Sequence, residues 1–278
     1  MMPNDLTFGA EIEISRDGAG TSACFAALRA AGILVENHRA PHMTRQNPQA
    51  WVVCPDGSCG GEIVSPILRG QDGFAQLHRV CTALVAAGAK VDRNCGFHIH
   101  VGARNVLTIG QIQNIAKMFL RHEAAFDQIL PPSRRAGANR FCNQNARAMS
   151  NSLAEKFAAI DGSRTVEAIA RVMNGGFQPG VTYTGFRYYS LNFQAWLRIG
   201  TLEFRQHSGT VEAEKAVNWA KLIVGFVARA TQIDEVRNDP TPATLDELLR
   251  KTDAAGRTFY KARAAELAAR AATRRRAA

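Results

Sequence analysis

An α+β protein, one antiparallel sheet with helices packed on one face, is the fold that this 278-residue sequence predicts. Three observations carry the prediction. Short segments alternate apolar and polar residues between glycine and proline turns, which is the two-residue period of half-buried strands. Residues 108–130 and 216–230 carry apolar stripes at helical spacing. The alternating segments also place carboxylates, imidazoles or guanidinium groups opposite their apolar residues. A sheet of such strands packs one face on helices and presents the other as a polar floor.

The elements follow in chain order. Residues 6–15 form a strand with Phe8, Ile12 and Ile14 on one side and Glu11 and Glu13 on the other. Thr21 or Ser22 is expected to cap a helix that runs to Ala31 and ends at Gly32. Residues 49–54 and 60–66 are strands joined by the turn Pro55-Asp56-Gly57-Ser58, and Pro66 stops the second. Glu62 follows paired glycines, which admit a second backbone or a ligand at close range. Residues 72–88 are an amphipathic helix. In residues 95–102, Phe97, Ile99 and Val101 point one way and His98 and His100 the other.

The helix over 108–130 ends at Pro131-Pro132. Residues 133–151 are polar and aperiodic, the signature of a binding loop, a lid or an exposed insertion. Two short helices follow at 152–160 and 165–173, then the glycine-rich stretch 174–180. Residues 188–196 and 201–206 are strands, the second with Glu203 and Arg205 on its polar side; the chain is helical from 211 onward.

Composition bounds the function. With 46% hydrophobic and 21% charged residues the chain is a globular, enzyme-sized protein. No apolar run reaches spanning length, and the N-terminus has no basic segment followed by an apolar one, so a cytoplasmic protein without membrane contact is expected. Six scattered cysteines include no Cys-x-x-Cys pair; a reduced state is expected, although Cys54 and Cys59 flank one turn. Much of the net charge of +10 lies in the C-terminal helix, from Arg257 to the run Arg274-Arg275-Arg276. Such a run suits a solvated helix end better than a nucleic-acid site. The expected organisation is a catalytic domain over 1–250 and a basic helix over 251–278.

Two carboxylates at i and i+2, or two imidazoles, are ordinarily screened by water on an exposed face. Here, however, Glu11/Glu13, Glu62, His98/His100 and Glu203/Arg205 recur on four strands, with Asn192 on a fifth. Four carboxylates and two imidazoles on one floor call for cations, and an oxygen-rich donor set suits Mg²⁺ or Mn²⁺. Two or three such ions beside an arginine describe a triphosphate site without a P-loop motif.

The segments Phe8-Gly9-Ala10-Glu11-Ile12-Glu13, Asp56-Gly57-Ser58, Gly61-Glu62-Ile63-Val64-Ser65-Pro66 and Gly96-Phe97-His98-Ile99-His100-Val101 come in one order. Arg187-Tyr188-Tyr189-Ser190-Leu191-Asn192, Gly200-Thr201-Leu202-Glu203-Phe204-Arg205 and Ser208-Gly209-Thr210 complete it. This series resembles the amidoligase family of the carboxylate–amine ligase superfamily, which includes glutamine synthetase and glutamate–cysteine ligase. The resemblance implies a curved antiparallel half-barrel with the site on its concave face. It implies Glu11, Glu13, Glu62, His98 and Glu203 as metal ligands, and His100 and Ser58 as nucleotide contacts. Arg205 and Arg187 would hold the γ-phosphate and an acyl phosphate, with Glu203 beside them, and Asn192 and Ser58 would lie near the substrate. Arg198 and His207 are further candidates, and no base toward the amine is assigned. The implied reaction joins a carboxylate to an amine at the expense of ATP. Two other classes use parts of the pattern: a metal-dependent hydrolase built on the His-x-His/Glu cluster, and a nucleic-acid-associated protein using the basic tail.

Overall fold

Strand β1 (Thr7–Ile14) buries alternate residues, Phe8, Ala10, Ile12 and Ile14, and forms the middle of the sheet. The computed structural model describes the chain apart from residues 1, 41–42, 136–137, 176–184, 234–235, 237–238 and 277–278 and the side chains of 150 and 274–276. Most of the 174–180 stretch and the side chains of the terminal arginine run therefore lie outside the described residues.

Helix α1 (Thr21–Ala30) follows, with Gly20 at its N-cap rather than Thr21 or Ser22 and no side-chain bond to its first turn. Then come β2 (Val35–Asn37), β3 (Trp51–Cys54), β4 (Gly61–Val64), β5 (Leu68–Arg69), α2 (Gly70–Ala86) and β6 (Gly96–Gly102). Helix α3 (Ile109–Ile129) starts at a capping box between Thr108 and Gln111. Ser152 caps α4 (Leu153–Asp161) with a second box, to Glu155, and Thr165 caps α5 (Val166–Asn174) by accepting the Ala168 N–H. The chain ends with β7 (Leu191–Asn192), α6 (Gln194–Ile199), β8 (Thr201–Ser208), α7 (Ala213–Thr231), α8 (Leu245–Leu249) and α9 (Ala254–Arg276).

The strands form one open sheet in the order β2-β3-β4-β1-β6-β8-β7, with β5 also on β1. Every pairing is antiparallel except β2 with β3, which is parallel, so the sheet is mixed at that edge. Helices α2, α3 and α7 cover the apolar face. There Phe119 and Phe126 of α3 meet Phe204 of β8 and Phe226 of α7 with ring centroids 5.6–6.4 Å apart. Tyr260 and Leu267 of α9 are buried too, so the basic C-terminal helix packs on the body for part of its length.

The structure corrects one expectation and decides two that the sequence left open. The strand over 188–196 stops at Asn192: its Oδ1 accepts the Gln194 N–H at 2.8 Å, an Asx turn that starts α6. The space at Gly60 and Gly61 is taken by the protein itself, since a Cβ there would lie 2.6 Å from the Ser15 backbone and 2.4 Å from Thr21 Cγ2. A β-bulge between β6 and β8 shifts the register from Ile99↔Phe204 to Phe97↔His207. That extra residue turns His207 to the apolar face, where its ring packs 4.8 Å from Trp219 and burial lowers its pKa to about 3.

Candidate functional site

Cross-strand register brings the polar residues together. Glu13 lies opposite Glu62, Glu11 opposite His98, and Gly9 opposite His100. His100 in turn lies opposite Glu203, and Glu203 opposite Asn192. Five strands thus contribute to one patch of floor. Gly96 is needed beside it: a Cβ at that position would stand 2.4 Å from His98 Nε2.

The contacts are short. His98 Nδ1 is 3.2 Å from Glu11 Oε2 and 3.4 Å from Glu203 Oε1, and its Nε2 is 3.8 Å from Glu13 Oε1. His100 Nε2 is 3.2 Å from Glu11 Oε1 and 3.7 Å from Glu203 Oε1. Its Nδ1 lies 2.9 Å from Thr201 Oγ1, which orients the ring. Glu203 Oε1 also receives Arg205 Nη1, while Asn192 Nδ2 donates to Glu203 Oε2 at 2.6 Å. Glu13 Oε2 accepts the Gly96 N–H at 2.6 Å.

The carboxylates differ in charge state. Loss of water raises the Glu11 carboxyl, but the charge and hydrogen bonds of His100 and His98 outweigh this and hold it well below its ordinary value. Burial and then Arg205 and His100 act on Glu203 in opposite directions, and the cations win. Glu62 has no such partner: desolvation and the charges of Glu11, Glu13, Asp56 and Glu203 push it well above its ordinary value. Its neighbours thus oppose the ionisation of Glu62 and favour its protonated form. Burial depresses His100, yet Glu11 and Glu203 raise it above its ordinary value overall.

One ligand atom each from Glu11, His98 and Glu203 lie within 4.8 Å of one another, and His100 Nε2 is buried beside them, 3.2 Å from Glu11 Oε1. This oxygen-rich set with a nitrogen ligand fits a divalent cation of the Mg²⁺ or Mn²⁺ type.

Two cavities meet at this cluster. The first, about 460 Å³, has the carboxylates as its floor and Arg134, Arg140, Arg187, Arg198 and Arg205 around it. Three of them lie over aromatic rings: Arg140 is 4.8 Å from the Phe141 ring, and Arg187 and Arg205 are 4.8 and 5.9 Å from Tyr188. The second, about 490 Å³, shares Glu11 with the first and takes His100 and Thr201 into its lining. It is otherwise largely apolar, with Pro66, Ile67, Val106 and Ile199 exposed to it.

A family profile described as "putative amidoligase enzyme" matches residues 4–227, most of the chain and all of the strands that build the floor. This chain belongs to the amidoligase family. No curated protein matches it. The amidoligase match ends within α7, so α8 and α9 lie outside it.

Of the residues expected at the site of this amidoligase, Glu11, Glu13, Glu62, His98, Glu203, Arg205, Arg187, Asn192 and Ser58 all line the first cavity, and His100 lines the second. Arg198 reaches the first cavity from α6, and His207 does not. Asp56, Asn94, Arg134, Arg140 and Tyr188 also line it and were not singled out by alternation. Asp56 had a signal in its Asp-Gly-Ser turn, where Oδ1 accepts the Ser58 and Cys59 N–H groups. Arg134 and Arg140 sit in the aperiodic stretch, where only tertiary contact assigns a place. Part of that stretch is interior rather than an exposed insertion: Arg134, Cys142 and Asn145 are buried. All six cysteines are free, and among the described residues no helix is long and apolar enough to cross a membrane.

Proposed function

We propose that this amidoligase forms an amide bond between a carboxylate and an amine, driven by ATP through an acyl phosphate. The observation that carries the reading is Arg205 packed against Glu203 at the join between an acidic floor and an arginine-lined cavity. A hydrolase that activates one water has little use for a fixed guanidinium there, whereas phosphoryl transfer needs cations around the moving group. Glu11, Glu13, Glu62, His98 and Glu203 would hold two or three Mg²⁺ or Mn²⁺ ions, which offset the charge of phosphate and carboxylate brought together.

In this reading the nucleoside lies in the largely apolar second cavity, with its phosphates directed past His100 toward Arg205 and Arg187. The carboxylate lies in the first cavity beside the arginines. A carboxylate oxygen attacks the γ-phosphorus, the bond to the bridging oxygen breaks, and ADP leaves. The amine nitrogen then attacks the acyl carbon, phosphate departs, and the ammonium proton passes to a carboxylate or to water. Ser58 and Asn192 stand where they contact the substrates, and a glutamine synthetase-like half-barrel is the fold that goes with this chemistry.

ADP release from Mg-ATP, screened over amino acids and polyamines, tests the proposal. The expected result is ADP formed only when a carboxylate and an amine are both present. ADP release independent of the amine, or amide hydrolysis without nucleotide, would overturn it.

A further inference from the structure

The outer edge of the sheet is completed by side chains. β7 pairs with β8 on one side only. On the other side Asn143 N–H donates to Tyr188 O and Ser190 N–H donates to Asn143 O, both at 2.8 Å, making a single parallel bridge. Two residues later the Asn145 carboxamide replaces the backbone. Its Oδ1 accepts the Leu191 N–H at 2.8 Å and its Nδ2 donates to Leu191 O at 2.9 Å. A carboxamide offers the same neighbouring acceptor and donor as a peptide group, so Asn145 stands in for one residue of a strand.

Asn174 extends the pattern. Its Nδ2 donates to Leu191 O at 3.0 Å and its Oδ1 accepts the Phe193 N–H at 2.9 Å. The residues on both sides of Asn192 are therefore gripped by two fully buried asparagines. These are anchored in turn. Glu123 of α3 accepts the Asn145 and Ala146 N–H groups at 2.8 Å, and Lys156 Nζ donates to Asn145 O at 2.7 Å.

Resting on the reading of Glu203 as a metal ligand, we propose that Asn145 and Asn174 are positioning residues for the metal centre, acting through Asn192. The Asn192 amide occupies Glu203 Oε2 and leaves Oε1 turned toward His98 and His100. Freed from its clamp, Asn192 releases Oε2, and the carboxylate rotates away from the direction the cluster needs. Outer-shell partners of this kind change metal affinity by about 10- to 100-fold.

The test is a Mn²⁺ titration of the full chain by calorimetry, with thermal melting alongside, for wild type, Asn145→Ala, Asn174→Ala, Asn192→Ala and the Asn174→Ala/Asn192→Ala double variant. Each single variant is expected to weaken Mn²⁺ binding about tenfold. The double variant should bind no more weakly than Asn192→Ala, because both losses act through the same Glu203 oxygen. Asn174→Ser and Asn145→Ser, which keep one polar atom, replace the alanine variant if it does not fold. Mn²⁺ affinity in the folded clamp variants within twofold of wild type, or affinity losses that multiply in the double variant, overturns the inference. Absence of Mn²⁺ binding by wild type itself overturns the metal reading, and this inference with it.

Discussion

The floor around Glu203 and the edge around Asn145 both bury polar groups, and they do so in opposite ways. At the edge, Asn145 and Asn174 spend their amide atoms on named backbone partners at 2.8–3.0 Å, and Glu123 and Lys156 close the network. On the floor, Glu11, Glu13 and Glu203 face two imidazoles at 3.2–3.8 Å, Arg205 pairs with Glu203, and the charges around Glu62 oppose its ionisation. A satisfied amide network needs nothing more and fixes shape. A like-charged cluster is destabilising until a cation arrives, which marks it as the place where something binds.

The largest expected effect tests the floor. Arg205→Lys keeps the charge and loses the planar fork, so ADP formation should fall on the order of 10³-fold. Mn²⁺ binding should persist, because Arg205 lies beside the ligands rather than among them. ADP formation near the wild-type rate with the cognate substrates would leave the arginine as a structural partner of Glu203.

The edge should respond in stability instead. Lys156→Met leaves the Asn145 and Ala148 carbonyls without their donor, at a cost of about 2–3 kcal/mol. Denaturant unfolding measures this directly, and an unchanged midpoint would show that the network carries no stability.

The same region sets a pH dependence. Burial raises Glu123 from 4.5 to about 7, so the folded state holds a proton there that the unfolded chain releases. Its contribution is full below about pH 4.5 and is lost as pH rises through 7. Wild type should lose about 2–3 kcal/mol between pH 5 and 8 that Glu123→Gln does not lose. Parallel stability curves for the two proteins would refute the assignment.

The smallest effect returns to the floor. Glu62→Gln removes a carboxyl whose ionisation its neighbours oppose, a cost that grows as pH rises, so the metal-free protein should gain about 1 kcal/mol near pH 8. With saturating Mn²⁺ the order should reverse, because the variant has lost a ligand. Melting curves with and without metal decide it, and a variant less stable in both conditions would contradict the strain described here.

What the sequence by itself determined is the set of neighbours within each strand. A two-residue period is local geometry, so Glu11 with Glu13, His98 with His100, and Glu203 with Arg205 share faces wherever the strands lie. Helix caps at Thr108, Ser152 and Thr165 are equally local, since each hydroxyl bonds its own first turn. The order and register of β4, β1, β6 and β8 were decided only by the tertiary structure, because their inter-strand pairs join residues 47 to 112 positions apart. Register placed Glu13 against Glu62 and His100 against Glu203. A single bulge turned His207 to the apolar face, and an Asx turn at Asn192 ended the strand and began α6. Asn145, Asn174 and Glu123 left no mark at all in the pattern. An amide that replaces a strand does so only when folding brings its backbone partner to it, and no spacing along the chain encodes that meeting.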